Sequence, residues 1–536
     1  MENEQVALEA ACAIDELPVE ILTKVFCCYC EEDADSHTED TAFHVQLNKD
    51  GLQFRLESII RAYGKWRQII FANPIFWSSF SINLDWLTTV TQYKYLLQAI
   101  SLSEKAEELR LNIVFHGGTT NFSAELNTLA RRRVAVLAGL LEQANRWRDV
   151  RIQLSSSVFR LVCDELRRDG TKPLRGYFPN LKRLDCLDQV MRGVGSPYTF
   201  PPSNDLQEFC DIFKPCPALS HLCVFNDEHG SPFRYSLLTS LTLATFSGRS
   251  LTTLLSQCPR LRSLTLGAGW VLRTYLDADS TWSRDNPFYH PNLTTLSLPD
   301  YTSIRFTGAI WADIRFPSLD TLYVEGNMDE IPELTEMLIR SRCRLKTMIL
   351  GGMPPEVFQK LLWVAPSLKS LTLDLWHFAY MCPENIDQFL APLFRSGLYI
   401  PVSGLSFLKI EMCPDHVPLD GIVEKVQSGV IPPYPYPHYT FEDSDRYAYS
   451  EETDQNKVAA VYAIVNRLRL MILSRRKGQP WVRFKTKPSV AEPLPSNRID
   501  PNDALTQLPE YLLAVGKKGT GMDLDGLVTL ELQWNG

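Results

Sequence analysis

Cys258-Pro-Arg-Leu-Arg-Ser-Leu-Thr-Leu266 is one copy of a phrase that this sequence repeats, and the phrase decides the fold. Its template is a leucine, two variable residues, an apolar residue, one variable residue and a second apolar residue. Nine copies fit this template, and six of them carry a proline two positions before the first leucine. Because proline cannot continue a helix and favours extended backbone in the residue before it, each phrase predicts the end of a helix and the start of a strand. The first leucines of the nine copies are Leu181, Leu219, Leu238, Leu261, Leu293, Leu319, Leu345, Leu368 and Leu405.

The intervals between the phrases carry apolar residues at helical spacing, as in residues 355–364. Weaker copies upstream predict helices at 95–102 and 134–144, each followed by a strand, at 109–111 and 150–152. The first leucines lie 19 to 38 residues apart, which is a leucine-rich-repeat period with irregular insertions. The sequence therefore predicts an α/β fold in which residues 81–425 form an irregular leucine-rich-repeat solenoid, with parallel strands on the concave side and helices outside.

The C-terminal part departs from the repeat. Residues 426–500 begin with a proline-, tyrosine- and acid-rich stretch that predicts a loop, and 458–474 predicts a helix. Residues 501–536 form a separate C-terminal segment. Because Leu527, Leu530 and Leu532 repeat the template once more, we expect a last strand that returns to cap the solenoid.

The residues before the repeats predict a small helical module over 15–80, after an N-terminal tail at 1–14. Asp15-Glu-Leu-Pro-Val-Glu-Ile-Leu22 places acidic residues and a proline where a helix begins. A second helix is predicted over 56–72. The stretch between them, 27–53, contains an acidic run at 31–40 and predicts a solvated insertion.

This module resembles an F-box. The pattern of that family is a Leu-Pro pair before a Glu-Ile-Leu helix, a later helix with a tryptophan, and a closing proline followed by an aromatic residue and tryptophan. Here these are Leu17-Pro18, Glu20-Ile21-Leu22, Trp66, and Pro74 with Phe76-Trp77. The sequence departs from the pattern at the acidic insertion and at Ala62-Tyr63, where Val-Cys is usual. Together with the repeats, the chain resembles the divergent F-box proteins of mushroom-forming fungi.

The resemblance implies a substrate-recognition subunit of a Skp–cullin–F-box type ubiquitin ligase. In that family the F-box docks on a Skp-family adaptor, and through it on a cullin-RING ligase, while the repeats bind a protein substrate. Carried over residue by residue, the adaptor contact falls on Leu17, Pro18, Ile21, Leu22 and Trp77, and a packing role falls on Trp66. The alternative is a leucine-rich-repeat interaction scaffold with no ligase role, in which the helices only cap the repeats.

Positions three and five of each phrase alternate with the apolar positions and are predicted to face the concave wall. Hydroxyl side chains dominate them, and no basic stripe that could match phosphates runs along the nine phrases, which disfavours nucleic acid. A protein partner read by hydrogen bonds is one interpretation, and an unused strand surface is the other. The candidate residues on this wall are Arg183, His221, Thr242, Thr265, Thr295, Ser297, Tyr323, Thr372, Phe407 and Lys409.

Composition is that of a folded chain: of the 536 residues, 45% are hydrophobic and 22% charged, with a net charge of −9. The acidic balance disfavours a polyanion-binding protein. No secretory signal or membrane-length apolar run is visible, so we expect an intracellular protein, cytoplasmic, nuclear or both. The 13 cysteines have no metal-ligand spacing and no nucleotide-binding or hydrolase motif occurs, so we expect no metal, no cofactor and no catalysis.

Overall fold

A computed structural model provides the structure of the chain. It describes residues 17–31, 43–115, 124–154, 178–187, 216–224, 233–243, 251–267, 287–298, 311, 313–325, 331–351, 355–374, 405–412, 481–486 and 528–533. Two compact units, Met1–Ser247 and Gly248–Gly536, make up the chain. Each unit is a mixture of helices with mostly parallel strands, which confirms the predicted α/β class.

The first unit contains helices and eight strands among its described residues. In chain order they are α1 (Val19–Glu31), β1 (Val45–Asn48), β2 (Gly51–Phe54), α2 (Glu57–Ala62), α3 (Gly64–Ala72), β3 (Ser79–Asn83), α4 (Val90–Leu102), β4 (Leu109–Phe115), α5 (Ala124–Leu141), β5 (Trp147–Leu154), β6 (Arg183–Leu187), β7 (His221–Val224) and β8 (Ser240–Leu243). Strands β3 to β8 pair in sequence order and in parallel, and β1 joins β3 in parallel. Strand β2 pairs with β1 as an antiparallel hairpin.

The second unit continues the same alternation. Its described elements are α6 (Leu251–Gln257), β9 (Ser263–Leu266), β10 (Phe288–Tyr289), β11 (Thr295–Leu298), β12 (Ile314–Arg315), β13 (Thr321–Glu325), α7 (Ile331–Ser341), β14 (Thr347–Gly351), α8 (Pro355–Val364), β15 (Ser370–Asp374), β16 (Phe407–Met412), β17 (Trp481–Thr486) and β18 (Val528–Gln533). Strands β9, β11, β13, β14, β15 and β16 pair in parallel in that order. The short strands β10 and β12 pair with each other.

All nine full phrases form strands, and within each unit their equivalent positions pair. Ser263, Thr295 and Thr321 lie side by side, as do Arg183 and His221. The apolar positions point inward: Leu264 and Leu266 have no exposed surface, while Ser263 and Thr265, which alternate with them, are half-buried. Burying one leucine side chain stabilises a fold by about 1.5 to 3 kcal/mol, so this repeated pair of positions supplies much of the core.

The proline of the phrase lies in a tight turn directly before the strand. Helix α6 ends at Gln257, and the N–H of Leu261 donates to the carbonyl of Cys258 at 3.0 Å across Pro259. The same bond joins Leu368 to Ala365 and Leu319 to Phe316. Proline suits the second position of such a turn because its φ angle is already fixed there. The predicted helix-to-strand transition is therefore confirmed at Cys258 and Ala365, whereas at Phe316 the same turn follows the short strand β12.

Two predictions about the front of the chain are wrong. The helix expected over 56–72 is two helices, because Tyr63 adopts extended backbone (φ −151°, ψ 134°) and α3 restarts at Gly64. The insertion expected to be solvated over 27–53 is ordered at both ends. Its first residues extend α1, and its last residues form β1 and β2, with Val45 and Leu47 buried.

The C-terminal strand is confirmed and has an unpredicted neighbour. Strand β18 runs antiparallel to β16, with Leu530 opposite Ile410, so the parallel order ends there. Strand β17 pairs with β18 on its other side and was not predicted. The predicted tail at 1–14, the proline-, tyrosine- and acid-rich stretch that begins at 426 and the predicted helix at 458–474 lie outside the described residues. No helix of the described ranges could span a lipid bilayer.

Candidate functional site

Helix α1 has one face packed into the first unit and one face open to solvent. Pro18 precedes the helix, and its carbonyl accepts the N–H groups of Ile21 and Leu22 at 3.0 and 3.1 Å. Leu22 is buried, with 1% of its surface exposed, and Phe26 lies four residues further on the same inner face. Ile21 is 42% exposed. The remaining exposed apolar residues here are Leu17, Val19, Val25 and Tyr29.

Three of these residues form a stripe. Ile21, Val25 and Tyr29 follow one another at intervals of four residues, so their side chains lie on one side of the helix. Exposed apolar residues are ordinary when scattered singly, but a row of them on one helix marks an interaction surface. We call Ile21, Val25 and Tyr29 the α1 stripe, and Leu17 and Val19 lie just before it in the chain.

Trp66 lies behind α1, in the position predicted for a packing residue. Its ring meets Phe26 edge to face at 5.8 Å between centroids, and Tyr63 contacts it from the other side at 5.7 Å. The indole Nε1 of Trp66 is buried and has no hydrogen-bond partner within the described ranges. The indole therefore holds α1 against α3 by ring packing.

Trp77 belongs to the core rather than to the surface. It is 3% exposed, and its ring packs against Phe71 and against Phe54 of β2, with centroids 5.3 and 5.5 Å away. Its indole N–H donates to the carbonyl of Ile70 at 3.0 Å. Of the five predicted adaptor contacts, Leu17, Pro18 and Ile21 are exposed, whereas Leu22 and Trp77 are buried and could affect an adaptor only through packing.

The residues predicted for the concave wall do lie on the face of the strands opposite the buried leucines. In the first unit, Arg183 pairs with His221 at position three. Thr242 occupies position five and pairs with Cys223 on the preceding strand. In the second unit, position five forms a continuous row across neighbouring strands, and position three forms the row beside it. The first row contains Thr265, Ser297, Tyr323, Thr372 and Lys409, and the second contains Thr295 and Phe407.

A charged cleft on this face of the first unit was not predicted. Its volume is about 500 Å³, and its lining includes five cationic and two acidic side chains, an excess of three positive charges. We call it the basic cleft. The cations are Arg110, Arg148, Arg151, Lys182 and Arg183, and the acids are Asp149 and Asp185.

Ion pairs link the strands beneath the basic cleft. Arg148 donates to Glu108 at 2.5 Å and also lies 3.7 Å from Asp149. Arg110 lies 3.6 Å from the same Asp149 carboxylate, and Lys182 lies 3.7 Å from Glu108. The hydrogen bond from Arg148 lowers the pKa of Glu108 below its usual value and raises the pKa of Arg148, so both stay charged near neutral pH.

Arg148 reaches the cleft through a bulge in the sheet. Leu109 pairs with Trp147 and Arg110 pairs with Asp149, so Arg148 is an extra residue on β5 with no counterpart on β4. A bulge of this kind redirects a side chain and is common beside functional sites. The sequence could have indicated the cleft, because Arg110 and Arg151 occupy positions three and five of the weaker upstream copies. The predicted wall was built from the nine full phrases, which do not include Arg110 and Arg151.

Cys223 lies next to Asp185 on the neighbouring strand. Burial raises the pKa of the Cys223 thiol well above its usual value, and Asp185 raises it further. A protonated thiol is a poor nucleophile.

Within the described ranges there is no group of three or more histidine, cysteine or acidic side chains that could hold a metal ion. Neither a protein-family model nor a curated protein matches this sequence.

Proposed function

We propose that this chain is the substrate-recognition subunit of a Skp–cullin–F-box type ubiquitin ligase, working inside the cell in the cytoplasm, the nucleus or both. The observation that carries the proposal is the α1 stripe, three exposed apolar residues on one side of the helix that follows the Leu-Pro pair. A Skp-family adaptor would cover this stripe. The chain acts by binding and leaves ubiquitin transfer to the cullin-RING ligase.

The fold that fits this function is a leucine-rich-repeat solenoid behind an F-box. Two features support it: the equivalent positions of successive phrases pair strand by strand within each unit, and the first eight phrases share the same buried pair of apolar positions. A wall of parallel strands with polar side chains between the buried ones offers a broad surface for a protein substrate.

The adaptor contact is best assigned to the exposed side of α1. Ile21 and Val25 would become buried on binding, and each buried aliphatic side chain contributes about 1.5 to 3 kcal/mol. Leu22 and Phe26 on the buried face of α1 hold the helix in place, and Phe26 packs against Trp66 and Phe76. This assignment keeps Leu17, Pro18 and Ile21 from the resemblance and adds Val19, Val25 and Tyr29.

Capture of a Skp-family adaptor by the full chain tests the proposal. Ile21→Asp combined with Val25→Asp should weaken capture at least about tenfold, because two apolar contacts are lost and a charge is left at the interface. Ile339→Asp is the matched control, since Ile339 is also an exposed isoleucine, on α7. Undiminished capture by the double variant, or no capture by the wild-type chain, would overturn the proposal.

A repeat scaffold with no ligase role is the second candidate. It is favoured by the way the front of the chain merges with the strands: β1 and β2 extend the sheet, and Trp77 fastens β2 to α3. A module whose main task is to close the end of the sheet would show these contacts too. Absence of adaptor capture by a chain whose circular dichroism shows it to be folded would support this second candidate.

A further inference from the structure

The basic cleft lies within the first unit and collects cations from three neighbouring strands. Arg110 comes from β4, Arg151 from β5 and Arg183 from β6, while Lys182 lies at the start of β6 and Arg148 in the bulge. These residues come from parts of the chain that are far apart in sequence. The opening is polar and accessible, since the side chains of Arg110 and Lys182 are 56% and 49% exposed.

The order of charges across the cleft defines what can bind there. Arg110, Asp149 and Arg183 occupy the same row on three successive strands, so a carboxylate separates two guanidinium groups. Strands in a sheet are about 4.8 Å apart, which places the two arginine backbones about 10 Å from each other. A ligand that matches this row carries two separated negative charges and a hydrogen-bond donor between them.

A peptide meets these requirements better than a polyphosphate. Its acidic side chains are spaced by the backbone, three residues of extended chain cover about 10 Å, and its N–H groups can donate to Asp149. A nucleic acid or an inositol phosphate carries closely spaced charges that Asp149 and Asp185 would repel. Phe43 at the rim adds an apolar contact of the sort a peptide side chain uses.

We propose that the basic cleft binds a peptide segment with two anionic side chains about 10 Å apart, through Arg110 and Arg183 with Lys182 and Arg148 beside them. The anionic groups are carboxylates of Asp or Glu, or phosphates on a modified serine or threonine. Both groups accept charge-assisted hydrogen bonds from guanidinium and ammonium donors. The inference rests on the proposed function in one respect only: it names the class of substrate that the ligase subunit would hold.

Fluorescence anisotropy with the full chain tests the inference. The probes are short labelled peptides with glutamate, phosphoserine or glutamine at every third position. The glutamate or the phosphoserine peptide should bind, and the glutamine peptide should not. Tighter binding of the phosphoserine peptide identifies modified residues as the source, and equal binding identifies acidic residues. Binding of the glutamine peptide at the same affinity, or of none of the three, would overturn the inference.

Variants of opposite sign make the test independent of folding. Arg110→Gln and Lys182→Gln should each lower the affinity for the anionic peptide about two- to fivefold. Asp149→Asn should raise this affinity by a similar factor, because a repelling carboxylate is removed. Lys346→Gln is the matched control. Lys346 occupies the same phrase position as Lys182 and pairs with Asp320 at 3.2 Å, but it lies in the second unit. Weaker binding by Asp149→Asn, or an equal effect of Lys346→Gln, would contradict the inference.

Two further measurements distinguish peptide binding from polyphosphate binding and from the proposed ligase function. If inositol hexakisphosphate or a single-stranded oligonucleotide binds more tightly than the peptides, with the same dependence on Arg110 and Lys182, the ligand is a polyphosphate and the peptide proposal is wrong. Adaptor capture, measured on the same variants, should be unchanged. Loss of peptide binding with intact adaptor capture therefore bears on the cleft alone, and the reverse result bears on the ligase function alone.

Discussion

The indole N–H of Trp77 donates a hydrogen bond of 3.0 Å to the backbone carbonyl of Ile70, seven residues earlier. Trp147 does the same to Leu140 at 3.1 Å, again across seven residues. Both tryptophans are buried and follow a helix and a short turn, and each stands directly before or at the start of a strand. The closing Trp77 of the F-box-like pattern therefore serves the same structural purpose as a tryptophan inside the repeats.

Replacing Trp77 should lower the stability of the fold and leave the proposed adaptor contact on α1 intact. Trp77→Phe loses the bond to Ile70 and part of the ring packing, which we expect to lower the free energy of unfolding by about 1 to 3 kcal/mol. Trp147→Phe should cost a similar amount. Urea denaturation followed by circular dichroism measures both. Weaker adaptor capture by Trp77→Phe under conditions where it is fully folded would contradict this placement.

The two sides of α1 should respond differently to truncation. Leu22→Ala removes a buried side chain and should destabilise the first unit by about 2 to 5 kcal/mol. Ile21→Ala, its exposed neighbour, should change stability by less than about 0.5 kcal/mol. Denaturation curves of the two variants provide the comparison. Equal losses would mean that α1 is not oriented as described.

The β1–β2 hairpin should contribute to the core of the first unit. Leu47 is 2% exposed and stands opposite the half-buried Leu52. Leu47→Ala is expected to destabilise by about 2 to 5 kcal/mol, and Leu52→Ala by clearly less. Hydrogen exchange of the β1 and β3 amides would show the same order. Losses below about 0.5 kcal/mol for both variants would favour a solvated insertion instead.

His44 should make stability depend on pH. Burial, together with the nearby charges of Arg55 and Arg110, lowers the pKa of His44 to about 4. Ser79 Oγ accepts the backbone N–H of His44 at 3.1 Å and lies 2.9 Å from its Nδ1, which suits a neutral imidazole accepting the hydroxyl proton. Since the unfolded chain takes up this proton near pH 6.5 and the folded chain only near pH 4, the contribution of His44 is complete above pH 6.5 and is lost as the pH falls towards 4.

The loss amounts to at most about 3 kcal/mol. His44→Asn keeps an acceptor for Ser79 but cannot be protonated, so its stability should fall less between pH 7 and pH 5 than that of the wild-type chain. Urea denaturation at the two pH values measures the difference. Identical pH dependence of the two proteins would show that His44 is protonated without cost in the folded chain.

Local patterns were sufficient for the strands of the nine phrases and for the pairing of their equivalent positions. The phrase places Leu264 and Leu266 two residues apart, and a strand with that alternation buries both on one face. Proline at the turn marks where each strand starts. The break at Tyr63 was missed because residues 56–72 carry an uninterrupted apolar pattern, and a glycine inside such a pattern is tolerated often enough not to decide the matter.

The site depended on contacts that no local pattern contains. Trp77 faces the core because its ring packs against Phe54. Phe54 directly follows residues 27–53, whose acidic run predicted a solvated insertion. The basic cleft is formed by Arg110, Asp149 and Arg183, whose separation in sequence is set by insertions of variable length.

The sequence by itself determined the repeated helix-to-strand turn, the inward leucines and the parallel order of neighbouring strands, because these follow from backbone geometry and the period of apolar residues. Only the tertiary structure decided which face of α1 stays open, that Leu47 and Trp77 belong to the core, and which charges share a cleft. Exposure and electrostatic potential depend on every neighbour in space, and a linear pattern of residue types does not contain those neighbours.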